Sequence, residues 1–321
     1  MSNSLLSKRP LGNTGLFVTP LCLGAAPLGD MPETFQYGTP EEQALVTLRT
    51  AFESAINFVD TAASYGLGES ERRIGKAIRA NGGLPEGFVL ATKADRDYTT
   101  GDFSGEQIKR SVEESLERLG LDRLQYVYIH DPEHTTFENV MSPGGPLAVL
   151  QKLQNEGIID HIGISGGPID LLIRYVETGA FSAVETHNRY TLLNRSAEPL
   201  IDISSRMGVA VINGAPYGSG ILAKGPDAYA RYAYSEAPPI VLERARSFAK
   251  TCQEFNVPLA AAALQFSLRD PRITSTVVGM SKPERIAQTV ELANYPIAPE
   301  LWPALEAFGY DMDDPEANRF A

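Results

Sequence analysis

The sequence predicts an α/β chain folded as a (β/α)8 TIM barrel, with an N-terminal hairpin and a C-terminal extension, residues 1–321 forming one domain. Three observations predict it. Apolar, strand-like runs alternate eight times with segments of helical periodicity, and eight such units close a parallel sheet on itself. Three early runs end in a polar group: Phe58-Val59-Asp60, Phe88-Val89-Leu90-Ala91-Thr92-Lys93 and Tyr126-Val127-Tyr128-Ile129-His130. No Gly-x-Gly-x-x-Gly turn follows the first strand, which argues against the runner-up, an open doubly wound sheet.

The elements follow in order. Glycines punctuate residues 8–16 as in a small hairpin, and residues 18–24 read as the first barrel strand. Pro40, Glu41 and Glu42 open a helix whose acids suit its dipole, with Ala44, Leu48 and Ala51 at helical spacing. The strand ending in Asp60 leads to a helix over 70–79, and the strand ending in Lys93 to a polar stretch over 95–105. Ser104 caps a helix that Gly120 stops. After the His130 strand comes a loop rich in Pro and Gly, then a helix over 147–156. Strands over 159–165, 183–186 and 209–212 alternate with helices over 170–178 and 196–207. An insertion over 215–239, helices over 240–255 and 259–268, a strand over 276–278 and a helix over 283–292 complete the barrel. A tail with Trp302 follows.

Composition narrows the function classes. The net charge of −12 argues against nucleic acid, whose backbone needs basic clusters, and weakly against anionic membranes. Cys22 falls on a strand and Cys252 on a helix, so both read as core thiols and not as a disulfide framework. Residues 1–8 lack the apolar stretch of a leader, and no run is long enough to span a membrane, so a cytoplasmic location is expected. The expected partner is a small-molecule substrate, and no metal site is assigned. His134 and His161 read as surface or loop residues.

A buried acid at a strand end calls for a partner. Asp60, Tyr65, Lys93 and His130 together make a proton-transfer set at one barrel mouth. Taken singly, each has a bland reading: a packed loop tyrosine, a structural ion pair, a core histidine. A free phenol has a pKa of about 10, and a nearby ammonium lowers it. Lys93 can supply that charge to Tyr65, and Asp60 can fix Lys93.

In this order and context, Asp60, Tyr65, Lys93 and His130 resemble the catalytic tetrad of the aldo-keto reductases. The resemblance runs from Leu11-Gly12 to the segment 281–288. It implies hydride exchange between a nicotinamide nucleotide and a carbonyl or hydroxyl carbon. Tyr65 would serve as acid or base, and His130 would hydrogen-bond the substrate oxygen. Tyr217, Gly218, Ser219, Gly220 and Leu222 match the family's pyrophosphate clamp. Gly279, Ser281, Lys282, Arg285 and Gln288 match its adenosine end, with Pro283 exposing amide donors.

The departures lie around the nicotinamide. Many members have Ser-Asn where this chain has Ser165-Gly166, Gln where it has His187, and a stacking aromatic where it has Gly214. The cradle is therefore expected to use Ser165, His187 and Asn188. Gly279 replaces a lysine aimed at a 2′-phosphate, which tilts the expected cofactor to NAD, with NADP kept possible by Lys282 and Arg285.

His130-Asp131-Pro132, Asn188 through Asn194 and the loop Ala215-Pro216-Tyr217 resemble the branch holding aldose 1-dehydrogenases and a pyridoxal 4-dehydrogenase. It implies oxidation of an aldose to its lactone. Pyridoxal oxidation, generic NADPH-dependent aldehyde reduction and a non-enzymatic nucleotide-binding subunit are the alternatives. Asp95, Asp131 and Asn188 are the candidate substrate contacts.

Overall fold

Side chains along a barrel strand alternate between the interior and the helix layer. That alternation sorts the apolar residues into two cores. Phe58, Ala91, Tyr128 and Ile212 belong to the inner one, with Leu11 and Val18 from the hairpin. Leu48, Ile74, Ile108 and Val112 belong to the larger outer core between strands and helices. Each such fully buried side chain contributes about 1.5–3 kcal/mol. A computed structural model describes residues 6–317.

The hairpin is β1 (Arg9–Pro10) and β2 (Phe17–Val18), paired antiparallel. The first barrel strands are β3 (Leu21–Gly24), β4 (Phe58–Asp60), β5 (Val89–Ala94) and β6 (Leu124–His130). They are followed by β7 (Ile159–Ser165), β8 (Ala183–His187) and β9 (Ala210–Gly214). A small hairpin, β10 (Arg231–Tyr232) and β11 (Ser235–Glu236), precedes the last barrel strand, β12 (Ile273–Gly279). The eight barrel strands close in the order β12-β3-β4-β5-β6-β7-β8-β9. Gly12 takes φ +58, and a Cβ there would stand 2.4 Å from the Ser182 carbonyl oxygen. The β1–β2 hairpin is thus pressed onto the N-terminal end of β8, opposite the catalytic-type mouth.

Several expectations shift in detail. Val18 belongs to the hairpin, so the first barrel strand begins only at Leu21. Asn57 fastens this corner, accepting from the Thr19 amide at 2.7 Å and donating to the Phe17 and Gly87 carbonyls. The loop after β6 holds a short helix, Phe137–Met141, capped by Thr136. His161 is not a loop residue: it lies in β7, its ring centroid 6.1 Å from that of Tyr126. The Ser104 cap is present, accepting from the Gln107 amide at 3.2 Å, and Gly120 ends that helix at φ 68. Both cysteines are buried and free.

The insertion folds back on the barrel. Tyr232 packs against Gly218 and Tyr229 against Gly220. The C-terminal extension is stitched to the segment after β8, through Arg195 N to Asp311 O at 2.9 Å and Asn194 Nδ2 to Asp313 O at 2.8 Å. Among the described residues no helix is long and apolar enough to cross a membrane. The reading of residues 1–8 as leaderless rests largely on residues 1–5, outside the described residues.

Candidate active site

Asp60 ends β4 opposite Ala91 of β5, so Lys93, two residues on, points inward beside it. The Lys93 ammonium is fully buried and uses its three protons locally. It donates to Asp60 Oδ1, to the Thr61 carbonyl at 3.0 Å and to Tyr65 Oη at 3.2 Å. The loop that carries Tyr65 is clamped from below. Ser70 Oγ donates to the Ala25 carbonyl at 2.9 Å. Gly66 sits at φ +61 with the Gly29 oxygen where a Cβ would be. Only glycine fits such a backbone approach.

His130 ends β6, its ring centroid 6.0 Å from that of Tyr65 at an interplanar angle of 85°. Its Nδ1 is 2.6 Å from Asp95 Oδ1 and its Nε2 is 3.5 Å from Asp131 Oδ1. Burial disfavours a charged ring, but Asp131 and Asp95 outweigh it and push His130 up to about 9. The ring is therefore charged at neutral pH, donating Nδ1–H to Asp95 and holding Nε2–H on the side of Asp131.

Asp95 stands behind His130 instead of facing the mouth. Its Oδ1 also accepts from Tyr98 Oη at 3.1 Å, and its Oδ2 from the Ser64 amide at 2.8 Å. Burial would raise this carboxyl, but the imidazolium and the Ser64 amide hold it below its usual range. One carboxylate thus ties the histidine to the backbone beside Tyr65. With both oxygens engaged, Asp95 positions His130 and is not a free substrate contact.

The expected lowering of the Tyr65 phenol is not what the surroundings produce. Burial pushes it well above 10; Lys93 opposes this, while Asp60 and Glu185 add to it. Burial likewise works against the Lys93 ammonium, but Asp60, Glu185 and Tyr65 leave it well above its ordinary value. The resting set is a neutral phenol beside a charged lysine.

Glu185, which sequence reasoning missed, lies inside this cluster with Oε1 3.6 Å from Lys93 Nζ. The signal was available: Ala183, Glu185 and His187 share the inward face of β8 by period-two alternation.

The other mouth residues fall into two groups. His187 Nε2 lies 3.0 Å from Glu316 Oε1, which also accepts from Asn188 Nδ2 at 2.9 Å. Asn188 Oδ1 accepts from Ser219 Oγ at 3.1 Å. Glu316, from the C-terminal extension, was not anticipated. Burial would raise its carboxyl, but His187, Asn188 and Arg189 hold it well below the usual range. Ser165 is buried at the end of β7, and its carbonyl accepts from the Asp131 amide at 2.8 Å. At Gly166, where many members have asparagine, a Cβ would lie 2.7 Å from Glu133 Oε2, so a larger residue there would have to displace the Glu133 carboxylate. At Gly214 a Cβ would lie 3.0 Å from that of His187, so the ends of β8 and β9 approach closely there.

In the second group Gly218, Ser219 and Gly220 form a turn with φ of 57, 62 and 118°, and Leu222 is buried behind it. Tyr217 is raised by burial, with Arg285 opposing, so the two are neighbours. Ser281 accepts from Gln43 Nε2 at its carbonyl, and Lys282 precedes the helix Pro283–Ala293 without a side-chain cap. Arg285 and Gln288 are exposed one turn apart on that helix, and Gly279 closes against Pro27. Lys224 is lowered by burial and by Arg285. Among the described residues no carboxylate pairs with Lys224, Lys282 or Arg285. A glycine-rich turn beside uncapped amides and cations without a carboxylate partner fits an anionic dinucleotide.

The profile of the Aldo/keto reductase family matches residues 20–309. The chain belongs to the aldo/keto reductase family. It is an oxidoreductase, and aldo-keto reductases use nicotinamide cofactors on small aldehyde or sugar substrates. It is 31% identical to a D-threo-aldose 1-dehydrogenase of Pseudomonas sp over 91% of this chain and 94% of that one. It is 32% identical to the L-galactose dehydrogenase of Arabidopsis thaliana, covering 95% and 91%. A pyridoxal 4-dehydrogenase of Microbacterium luteolum is 29% identical, over 94% and 97%. In fold, the chain matches an aldo-keto reductase from Bacillus halodurans in its holo form. That match has a TM-score of 0.79 at 23% identity and covers 98% and 99% of the two chains.

Proposed function

We propose that this aldo-keto reductase oxidises the hemiacetal carbon of a small aldose to a lactone, with NAD as cofactor. The observation that carries the reading is the Lys93 ammonium shared between Asp60 and Tyr65 Oη, with the His130 ring edge-on to Tyr65. The relatives named for aldose and galactose dehydrogenation support the substrate class.

The chemistry supplied by a bound nicotinamide is hydride exchange with the anomeric carbon. His130 Nε2–H would hold the anomeric oxygen, and Tyr65 would exchange its proton. Lactone formation requires the phenolate, which Lys93 stabilises. The raised phenol therefore places the oxidative optimum on the alkaline side and leaves carbonyl reduction favoured at neutral pH. Asp131, beside His130 and partly exposed, would contact a neighbouring hydroxyl. Ser165, His187 and Asn188 would line the nicotinamide cradle, with Tyr217 through Leu222 on the pyrophosphate and Ser281 through Gln288 on the adenosine.

Lys224 favours a second reading of the cofactor. Its repulsion with Arg285 would be relieved by a 2′-phosphate, so NADP would bind in preference to NAD.

The test is initial rates of nicotinamide reduction with NAD and with NADP, on L-fucose, D-arabinose, L-galactose and pyridoxal. Turnover of a sugar with lactone as product is the expected result, NAD giving the higher kcat/KM. Preference for NADP that Lys224→Ala reverses would establish the second cofactor reading. Turnover of pyridoxal alone would replace the substrate class, and silence on all four would end the proposal.

A further inference from the structure

Glu185 is buried within the barrel, where the hydrogen bonds around Lys93 leave it short of a donor. Lys93 has already placed its protons on Asp60, the Thr61 carbonyl and Tyr65. At 3.6 Å, Glu185 Oε1 is beyond a good hydrogen bond to that nitrogen. Glu185 Oε2 and Asp60 Oδ2 are both buried, and neither has a donor among the described residues. Two ionised carboxylates beside one ammonium would leave a net negative charge in a water-poor interior. One proton between the two carboxyls supplies the missing donor and makes the trio of Asp60, Lys93 and Glu185 neutral.

We propose that Glu185 is a positioning residue of this active site, protonated at neutral pH and hydrogen-bonded to Asp60, so that Lys93 faces one carboxylate and remains available to Tyr65. The inference rests on the catalytic reading of Tyr65 and Lys93.

The titratable and charged groups around Glu185 are Cys22 of β3, Asp60 of β4, Tyr65, Lys93 of β5, and Tyr128 and His130 of β6. Burial, then the charge of Asp60, push Glu185 up to about 8, whereas His130 stands at about 9. Cys22, Tyr65 and Tyr128 are pushed well above their ordinary values, chiefly by burial. As pH rises, Glu185 is the group that charges first. Its carboxylate then opposes the Tyr65 phenolate, blunting the gain of oxidation with pH.

Glu185→Gln keeps a donor towards Asp60 and cannot ionise. Its oxidation rate should lack the inflection that ionisation of Glu185 gives wild type at about 8. Its alkaline limb should rise about one pH unit earlier than that of wild type. Wild-type enzyme labelled with carboxyl-13C glutamate should show the infrared carbonyl band of a protonated acid at neutral pH, fading through about 8. That spectrum needs no variant to fold, and Glu185→Gln assigns the band where it does. A wild-type-to-variant rate ratio that stays constant from about pH 6 to about pH 10, or no such band at neutral pH, would overturn the proposal. Full turnover by Tyr65→Phe would instead sink the catalytic reading and leave the band untouched.

Discussion

Replacing Tyr65 with phenylalanine lowers kcat by about 10²–10⁴-fold while cofactor affinity stays within about threefold. The ring keeps its edge-on contact with His130 and its packing, so the variant removes only the hydroxyl at 3.2 Å from Lys93. Loss of proton transfer falls on the chemical step, so kcat and kcat/KM should drop together. A factor of about 10³ corresponds to about 4 kcal/mol of transition-state stabilisation. Steady-state rates with cofactor titration by fluorescence check this. A Tyr65→Phe enzyme with wild-type kcat would remove Tyr65 from the mechanism.

Glu316→Ala is expected to destabilise the protein by about 3 kcal/mol, because it leaves a buried cation short of its partner. Arg189 is fully buried and is held at Nη1 by Glu316 at 3.4 Å and at Nη2 by Asp314 at 2.6 Å. Asp314 remains in the variant, which puts the loss at the lower end of the range for broken buried pairs. The damage extends to the mouth, since Asn188, at φ 60, and His187 both lean on the same carboxylate. Cofactor affinity should therefore weaken with stability. The Glu316 carboxyl is depressed on folding, so its contribution is present at neutral pH and is lost as pH falls below the ordinary carboxylate range. Denaturant midpoints at neutral and acid pH measure both effects. A midpoint unchanged by Glu316→Ala would mean that the extension does not support the site.

The barrel was legible because strand and helix periods differ, and because Asp60, Lys93 and His130 close apolar runs in a way that only a shared mouth explains. Boundaries drifted where backbone hydrogen bonding, not hydropathy, decides them: Val18 joins a hairpin and not the strand that follows it. Asp95 looked like a loop acid because its partner, His130, is 35 residues away in sequence. Glu185 was hidden in an ordinary-looking run, since a single acid among Ala183, Val184 and Thr186 does not disturb its strand character. Glu316 was illegible for another reason. Nothing local in a polar tail says that it will dock 127 residues upstream on Arg189. The pKa of Tyr65 was misjudged by weighing one favourable charge without the burial that opposes it.

The origin of the hydride decides the catalytic assignment most directly. An aldose carrying deuterium at the anomeric carbon, incubated with the enzyme and oxidised nicotinamide, should place that deuterium on the reduced cofactor and yield the lactone. Reduced cofactor free of deuterium, or an aldose recovered unchanged while another substrate turns over, would contradict the assignment of Tyr65, Lys93 and His130 to a hemiacetal carbon.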